Sequence, residues 1–63
     1  MDKTLEVLVE QVREKRQQIV DAVSTSAAKD YAEYQKLCGE IRGLSIAEGY
    51  ILDLMKRLEF SDD

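Results

Sequence analysis

The amino-acid sequence predicts an all-α fold, an antiparallel helical hairpin with a long second helix. Two segments have the helical spacing of apolar residues, a short polar stretch separates them, and proline is absent from all 63 residues. A chain this short usually needs a disulfide, a metal or a partner chain for stability. Its single cysteine, Cys38, cannot form an internal disulfide, and it has no histidine, so we expect the hairpin to be oligomeric.

The first predicted helix covers about residues 3–23 of a single small helical domain. Its apolar residues recur on one helical face: Leu5, Leu8, Val9, Val12, Ile19, Val20 and Val23. Asp2 suits the N-cap position. Arg16 interrupts this stripe and could set the packing register. The favoured interpretation is that its stem lies along the apolar face while its charge stays in water.

A polar turn is predicted at about residues 24–26, where Ser24, Thr25 and Ser26 interrupt the apolar pattern. Neither glycine nor proline occurs there, so one continuous helix is the alternative. A turn at this point would pair Val12 with about Ile41. It would also leave the last turns, "YILDLMKRLEF", beyond the end of the first helix. Such an overhang would be an exposed apolar patch, which usually marks an interaction surface.

The second predicted helix covers about residues 27–59. Its main apolar stripe follows a heptad-like rhythm: Tyr34, Leu37, Ile41, Leu44, Ile51, Leu52, Met55 and Leu58. Glu48 is the polar interruption of this stripe. It either sets the packing register or stays solvated, and the sequence favours neither interpretation.

A different side of the second helix carries a line of small and apolar residues. The members of this line are Gly39, Gly43, Ala47, Tyr50 and Leu54, with Ala28, Ala32 and Ile46 beside them. A helix with two apolar faces has two packing partners, and small residues let a second backbone approach closely. The candidate interaction residues are therefore Gly39, Gly43, Ala47, Tyr50, Ile51, Leu54, Met55 and Leu58.

The alternative to a long second helix is a three-helix bundle broken at Gly43–Ser45. Ser45 and Glu48 match the capping-box spacing, and Gly43 could end the preceding helix.

The sequence contains no recognisable catalytic constellation, cofactor-binding motif or metal-ligand pattern. Cys38 has no histidine to activate it, so a small buried thiol is expected and an enzyme is not. The net charge of −4 argues against nucleic acid as a partner, and the basic stretch "REKRQQ" is expected to form solvated surface. No apolar run is long enough for a membrane span, and no small-molecule substrate is implied. Tyr31 and Tyr34 are expected to form a packed end of the hairpin.

Residues 27–59 resemble a group of small proteins from tailed bacteriophages. The resemblance lies in "KDY" at residues 29–31 with Tyr34, in "GEIRGL" at residues 39–44, and in the acidic tail after "KRLE". Those proteins are encoded among structural genes of the head and portal region and have no established activity. The resemblance implies a phage accessory or virion-associated protein, and it transfers no site residue.

Two functions follow as hypotheses. The first is a non-enzymatic phage structural or assembly protein that acts through helix packing, with itself or a phage structural protein as partner. The second is a small phage-encoded adaptor or inhibitor that binds a host protein. A lone free thiol and the absence of an export signal fit the virion or the host cytoplasm as the location.

Overall fold

The computed structural model describes residues 3–25 and 29–60, which form two helices packed against each other as a hairpin. Helix α1 spans Lys3–Ser24, and helix α2 spans Tyr31–Phe60. The predicted all-α hairpin is confirmed, and the single continuous helix is wrong because α1 ends before α2 packs back along it. The suggested cap Asp2 and most of the predicted turn lie outside the described residues.

Helix α1 buries the apolar stripe that the sequence predicts. Val9 and Ile19 are buried, with 4% and 8% of their surface exposed, and Leu5, Val12 and Val23 are half-buried. Leu8 belongs to the predicted stripe but lies at its edge and is exposed. The stripe therefore indicates correctly which side of α1 faces α2.

Thr25 closes the last turn of α1. Its backbone N–H donates to the carbonyl oxygen of Asp21 at 3.0 Å, and its hydroxyl donates to the carbonyl oxygens of Asp21 and Ala22 at 3.0 and 3.2 Å. The last carbonyls of a helix have no partner within the helix, so these bonds stabilise the end of α1 without a glycine.

Helix α2 begins at Tyr31, and the predicted start at about residue 27 is wrong. Asp30 is the cap: its carboxylate accepts from the backbone N–H of Glu33 at 2.9 Å, and its carbonyl accepts from Tyr34 N–H at 3.0 Å. The Glu33 carboxylate in turn accepts from the backbone N–H of Lys29 at 3.2 Å. This reciprocal arrangement is close to a capping box, and it fixes the start of α2.

The predicted heptad stripe of α2 forms the face toward α1. Its half-buried members are Leu37, Ile41, Leu44, Ile51 and Met55. Tyr34, Leu52 and Leu58, which the prediction also placed on the stripe, are exposed at its flanks. Helix α2 also runs unbroken through Gly43–Ser45, so the three-helix alternative is wrong.

The hairpin is long and has a thin core. It measures 52 × 15 × 12 Å, and its radius of gyration is 14.9 Å, against about 10.6 Å for a compact domain of this length. Among the side chains that the structure describes, Val9 and Ile19 are the only buried apolar ones. Two helices alone enclose little space, so most apolar residues of the hairpin stay partly in contact with water.

Candidate functional site

Helix α2 has an apolar side that α1 does not cover. We call it the outer face and define it by Gly39, Gly43, Ile46, Tyr50 and Leu54, all of which are exposed. Ile46 is 50% exposed, Tyr50 73% and Leu54 39%. Large apolar groups that remain in water on one side of a helix are typical of an interaction surface.

The eight candidate interaction residues of the sequence fall into two groups. Gly39, Gly43, Tyr50, Leu54 and Leu58 are exposed, and the first four belong to the outer face. Ile51 and Met55 are half-buried on the opposite side, toward α1, and Ala47 is half-buried at the boundary. The structure therefore keeps most of the small-residue line together on one exposed side, and it separates from that line Ile51 and Met55, two of the residues expected in the overhang.

The glycines of α2 stand in open space. A Cβ atom added at Gly39, Gly43 or Gly49 would have no other atom within 4 Å, apart from the immediate helix backbone, and none of the three has a left-handed backbone conformation. The fold of one hairpin therefore does not require glycine at any of these positions. Two of them, Gly39 and Gly43, form a flat stretch on the outer face where a second helix could approach closely.

A partly buried ionic cluster connects the two helices on the other side of α2. The carboxylate of Glu48 accepts hydrogen bonds from the Arg13 Nε and from the Arg16 Nη1. Arg16 Nη1 also donates to the hydroxyl of Ser45 at 3.2 Å. Glu48 is buried, whereas the two arginine side chains keep part of their surface in water.

The cluster corrects three interpretations made from the sequence. Arg16 does not leave its charge in water, because it binds Glu48 and Ser45. Of the two possibilities for Glu48, the packing contact across the helices is the one observed. Ser45 and Glu48 do not cap a helix, since both lie in the interior of α2.

The cluster also corrects the predicted register of the hairpin. Pairing Val12 with Ile41 would place Glu48 about eight residues, or about 12 Å, beyond the level of Arg13, which is too far for the observed bonds. The last turns of α2 therefore run alongside the first half of α1, consistent with the half-buried Ile51 and Met55. The predicted C-terminal overhang is wrong.

Hydrogen bonds from Arg13 and, to a smaller extent, from Arg16 hold the pKa of Glu48 below its usual value. Burial of the carboxylate acts in the opposite direction and raises the pKa, but its effect is smaller. The contribution of the charged carboxylate to stability is therefore fully present above the unfolded-state pKa of about 4.3. It is lost as the pH falls through the lowered pKa of the folded state. The cluster should thus be a source of acid sensitivity in this hairpin.

We expect Glu48→Gln to lower the thermal unfolding midpoint at pH 7 and to reduce the further loss on acidification. Gln keeps the shape of the side chain but removes the charge that both arginines bind. Thermal unfolding is followed by circular dichroism from pH 7 to pH 2.5. The difference in unfolding midpoint between the unmodified chain and Glu48→Gln should become smaller as the pH falls. Glu10→Gln, an exposed carboxylate of α1, is the control, and an equal effect of both substitutions would contradict the prediction.

The N-terminal end of α2 carries a small aromatic group. The rings of Tyr31 and Tyr34 stack with centroids 6.3 Å apart, and Gln35 Nε2 donates to the Tyr31 hydroxyl at 3.0 Å. A hydrogen bond with the side chain of Cys38 raises the pKa of Tyr34. Both tyrosines are exposed, so the expected packed end of the hairpin is wrong: the rings stack on each other and keep much of their surface in water.

The described residues contain neither a metal-ligand cluster nor a membrane-spanning helix. Within residues 3–25 and 29–60, no group of three or more Cys, Asp or Glu side chains is arranged to hold a metal ion. Neither described helix contains an apolar stretch long enough to cross a membrane. No protein-family model, curated protein or solved structure matches this chain. The uncovered outer face of α2 is therefore the candidate site that the geometry itself supplies.

Proposed function

We propose that this chain is a non-enzymatic assembly protein, and that it works by packing the outer face of α2 against a second copy of itself. The observation that carries the proposal is the contrast between the two sides of α2. The inner side is covered by α1, whereas Ile46, Tyr50 and Leu54 project into water on the outer side. Burial of such groups is the main driving force of protein association.

The total surface of the chain supports the same proposal. The accessible surface is 5038 Å², whereas a compact monomer of this mass exposes about 4,100 Å². The excess of roughly 900 Å² is close to the area of about 800 Å² that each partner buries in an interface of standard size. Covering one face of the hairpin would bring the exposed area to that of an ordinary folded protein.

The resemblance of residues 27–59 to small proteins of tailed bacteriophages gives the proposal its biological setting. In that setting, the chain is a structural or assembly accessory protein associated with the virion near the head or portal. Mass spectrometry of purified particles tests this setting directly. Recovery of the chain from particles supports it, whereas recovery only on a host protein from infected cells would favour the adaptor hypothesis.

Self-association should be visible in solution. We expect light scattering coupled to size exclusion to give a mass that rises with concentration from 7.2 kDa to at least twice that value. The thermal unfolding midpoint should rise with concentration as well, because association stabilises the folded state by mass action. A mass of 7.2 kDa and a constant midpoint at every concentration would contradict the proposal.

A further inference from the structure

We propose that two copies pair antiparallel along α2, about a two-fold axis between residues 46 and 47. Each glycine of the outer face then lies against a bulky side chain of the other copy. This arrangement rests on the proposed self-association and specifies its geometry.

The spacing of the outer face is the first argument. Its glycines, Gly39 and Gly43, lie in the half toward the N-terminus of α2, and Tyr50 and Leu54 lie in the other half. The midpoint between residues 46 and 47 is equally far from Gly43 and Tyr50, about 5 Å along the axis, and equally far from Gly39 and Leu54, about 11 Å. The pattern is therefore complementary to itself when one copy is turned end over end.

Packing density favours this orientation over a parallel pair. In the antiparallel pair, Gly43 receives Tyr50 of the second copy, and Gly39 receives Leu54. In a parallel pair, glycine would lie against glycine and leave a gap, while Tyr50 would lie against Tyr50. Protein interfaces are packed as tightly as protein interiors, so bulky groups are expected against small ones. The open space at both glycines in the single hairpin leaves room for these side chains.

Two charged residues at the edge of the outer face give independent support. Arg42 and Asp53 lie on the same flank of α2 by helical position, and in the antiparallel pair they reach the same level to within about 3 Å. Arg42 of each copy then faces Asp53 of the other. In a parallel two-fold pair the two copies of this flank lie on opposite sides of the contact and Arg42 and Asp53 lie about 16 Å apart along the axis, so this pairing is lost. Asp53 also binds Arg57 within its own helix at 3.2 Å, which offsets the positive charge of Arg57 where it approaches Lys36 of the second copy.

Cysteine cross-linking tests the orientation. In a Cys38→Ala background, Gly39→Cys and Leu54→Cys chains are prepared separately, one of them labelled with ¹⁵N so that mass spectrometry distinguishes mixed from like pairs. Positions 39 of two antiparallel copies lie about 22 Å apart along the axis, beyond the roughly 7 Å that a disulfide spans. We therefore expect the mixture to give about tenfold more mixed than like disulfides.

Two single variants complete the experiment. Ile46→Cys should cross-link with itself, because this position lies next to the two-fold axis. Gln11→Cys, exposed on α1, is the matched control and should remain a thiol. Light scattering on the Cys38→Ala background shows whether association itself occurs.

The outcomes separate the two proposals. If disulfides between two Gly39→Cys chains and between two Leu54→Cys chains are as abundant as the mixed ones, the antiparallel arrangement is overturned. Self-association itself would still stand. Association without cross-linking at any outer-face position, or cross-linking of Gln11→Cys to the same extent, would overturn the outer face as the contact. A background protein that stays monomeric would overturn the proposed function.

Discussion

The Gly43→Leu chain is expected to remain a monomeric hairpin at concentrations at which the unmodified chain associates. A Cβ at residue 43 meets nothing within one hairpin, so the substitution should leave the fold intact. At the centre of a pair it would occupy the space that Tyr50 of the second copy needs. Overpacking costs about 1–3 kcal/mol per site, and a two-fold pair contains the site twice, so the dissociation constant should rise about 30-fold or more.

Gly49→Leu is the matched control for this experiment. Gly49 is also exposed in the interior of α2 and open to an added Cβ, but its helical position lies off the outer face. Both substitutions remove a glycine from a helix and should favour helicity by about 1 kcal/mol at most. Circular dichroism should therefore show unchanged or higher helicity in both chains, and sedimentation equilibrium should show weaker association only for Gly43→Leu. If the two variants associate equally, Gly43 does not lie in the interface.

Ile19→Ala is expected to unfold most of the protein at temperatures at which the unmodified chain is folded. Ile19 is one of the two buried apolar side chains of the described hairpin, and Ile→Ala in a core costs about 2–5 kcal/mol. A domain of this length has a total stability of only about 3–9 kcal/mol. At equal protein concentration, the thermal midpoint should fall by about 15 °C or more.

Val7→Ala is the control for the core substitution. Val7 lies on the same helix but is 55% exposed, so its truncation should change stability by about 0.5 kcal/mol or less. Calorimetry or circular dichroism at several concentrations separates a loss of folding from a loss of association. If Val7→Ala and Ile19→Ala lower the midpoint equally, the contrast between the buried and exposed sides of α1 is not what stabilises the hairpin.

The sequence predicted the two helices of this fold better than the register in which they pack against each other. Apolar periodicity located both helices and the side of each that faces the other, because burial of a stripe is local information. The start of α2 was missed although "DYAE" at residues 30–33 has capping-box spacing. The cap at Asp30 fixes the first residue of α2 at Tyr31, and apolar periodicity alone does not locate such a cap.

The register could not be obtained from periodicity. A heptad stripe looks similar after a shift of one or two turns, and the apolar residues alone do not distinguish these alignments. Arg13, Arg16 and Glu48 do distinguish them, since only one alignment brings the three charges together. Arg16, a lone base in the stripe of α1, and Glu48, a lone acid in the stripe of α2, were a signal for this pairing, which is missed when each helix is considered separately.

The sequence predicted most residues of the outer face, but it did not predict where that face ends. Helical angles grouped Gly39, Gly43, Tyr50 and Leu54, whereas the position of α1 decided that Ile51 and Met55 belong to the hairpin itself. That position depends on packing between distant residues. A list of candidate residues from one helix therefore mixed two surfaces that the structure separates.

The thin core links the lifetime of this protein to its abundance. A hairpin with only two fully buried apolar side chains among its described residues should open often when alone, and proteases act on open chains. Pairing through α2 would protect the chain from proteolysis, and this protection would increase with the concentration of the chain. Newly made copies would then be removed while they are scarce and would accumulate once synthesis outpaces degradation, so that the assembled form dominates only late and at high expression.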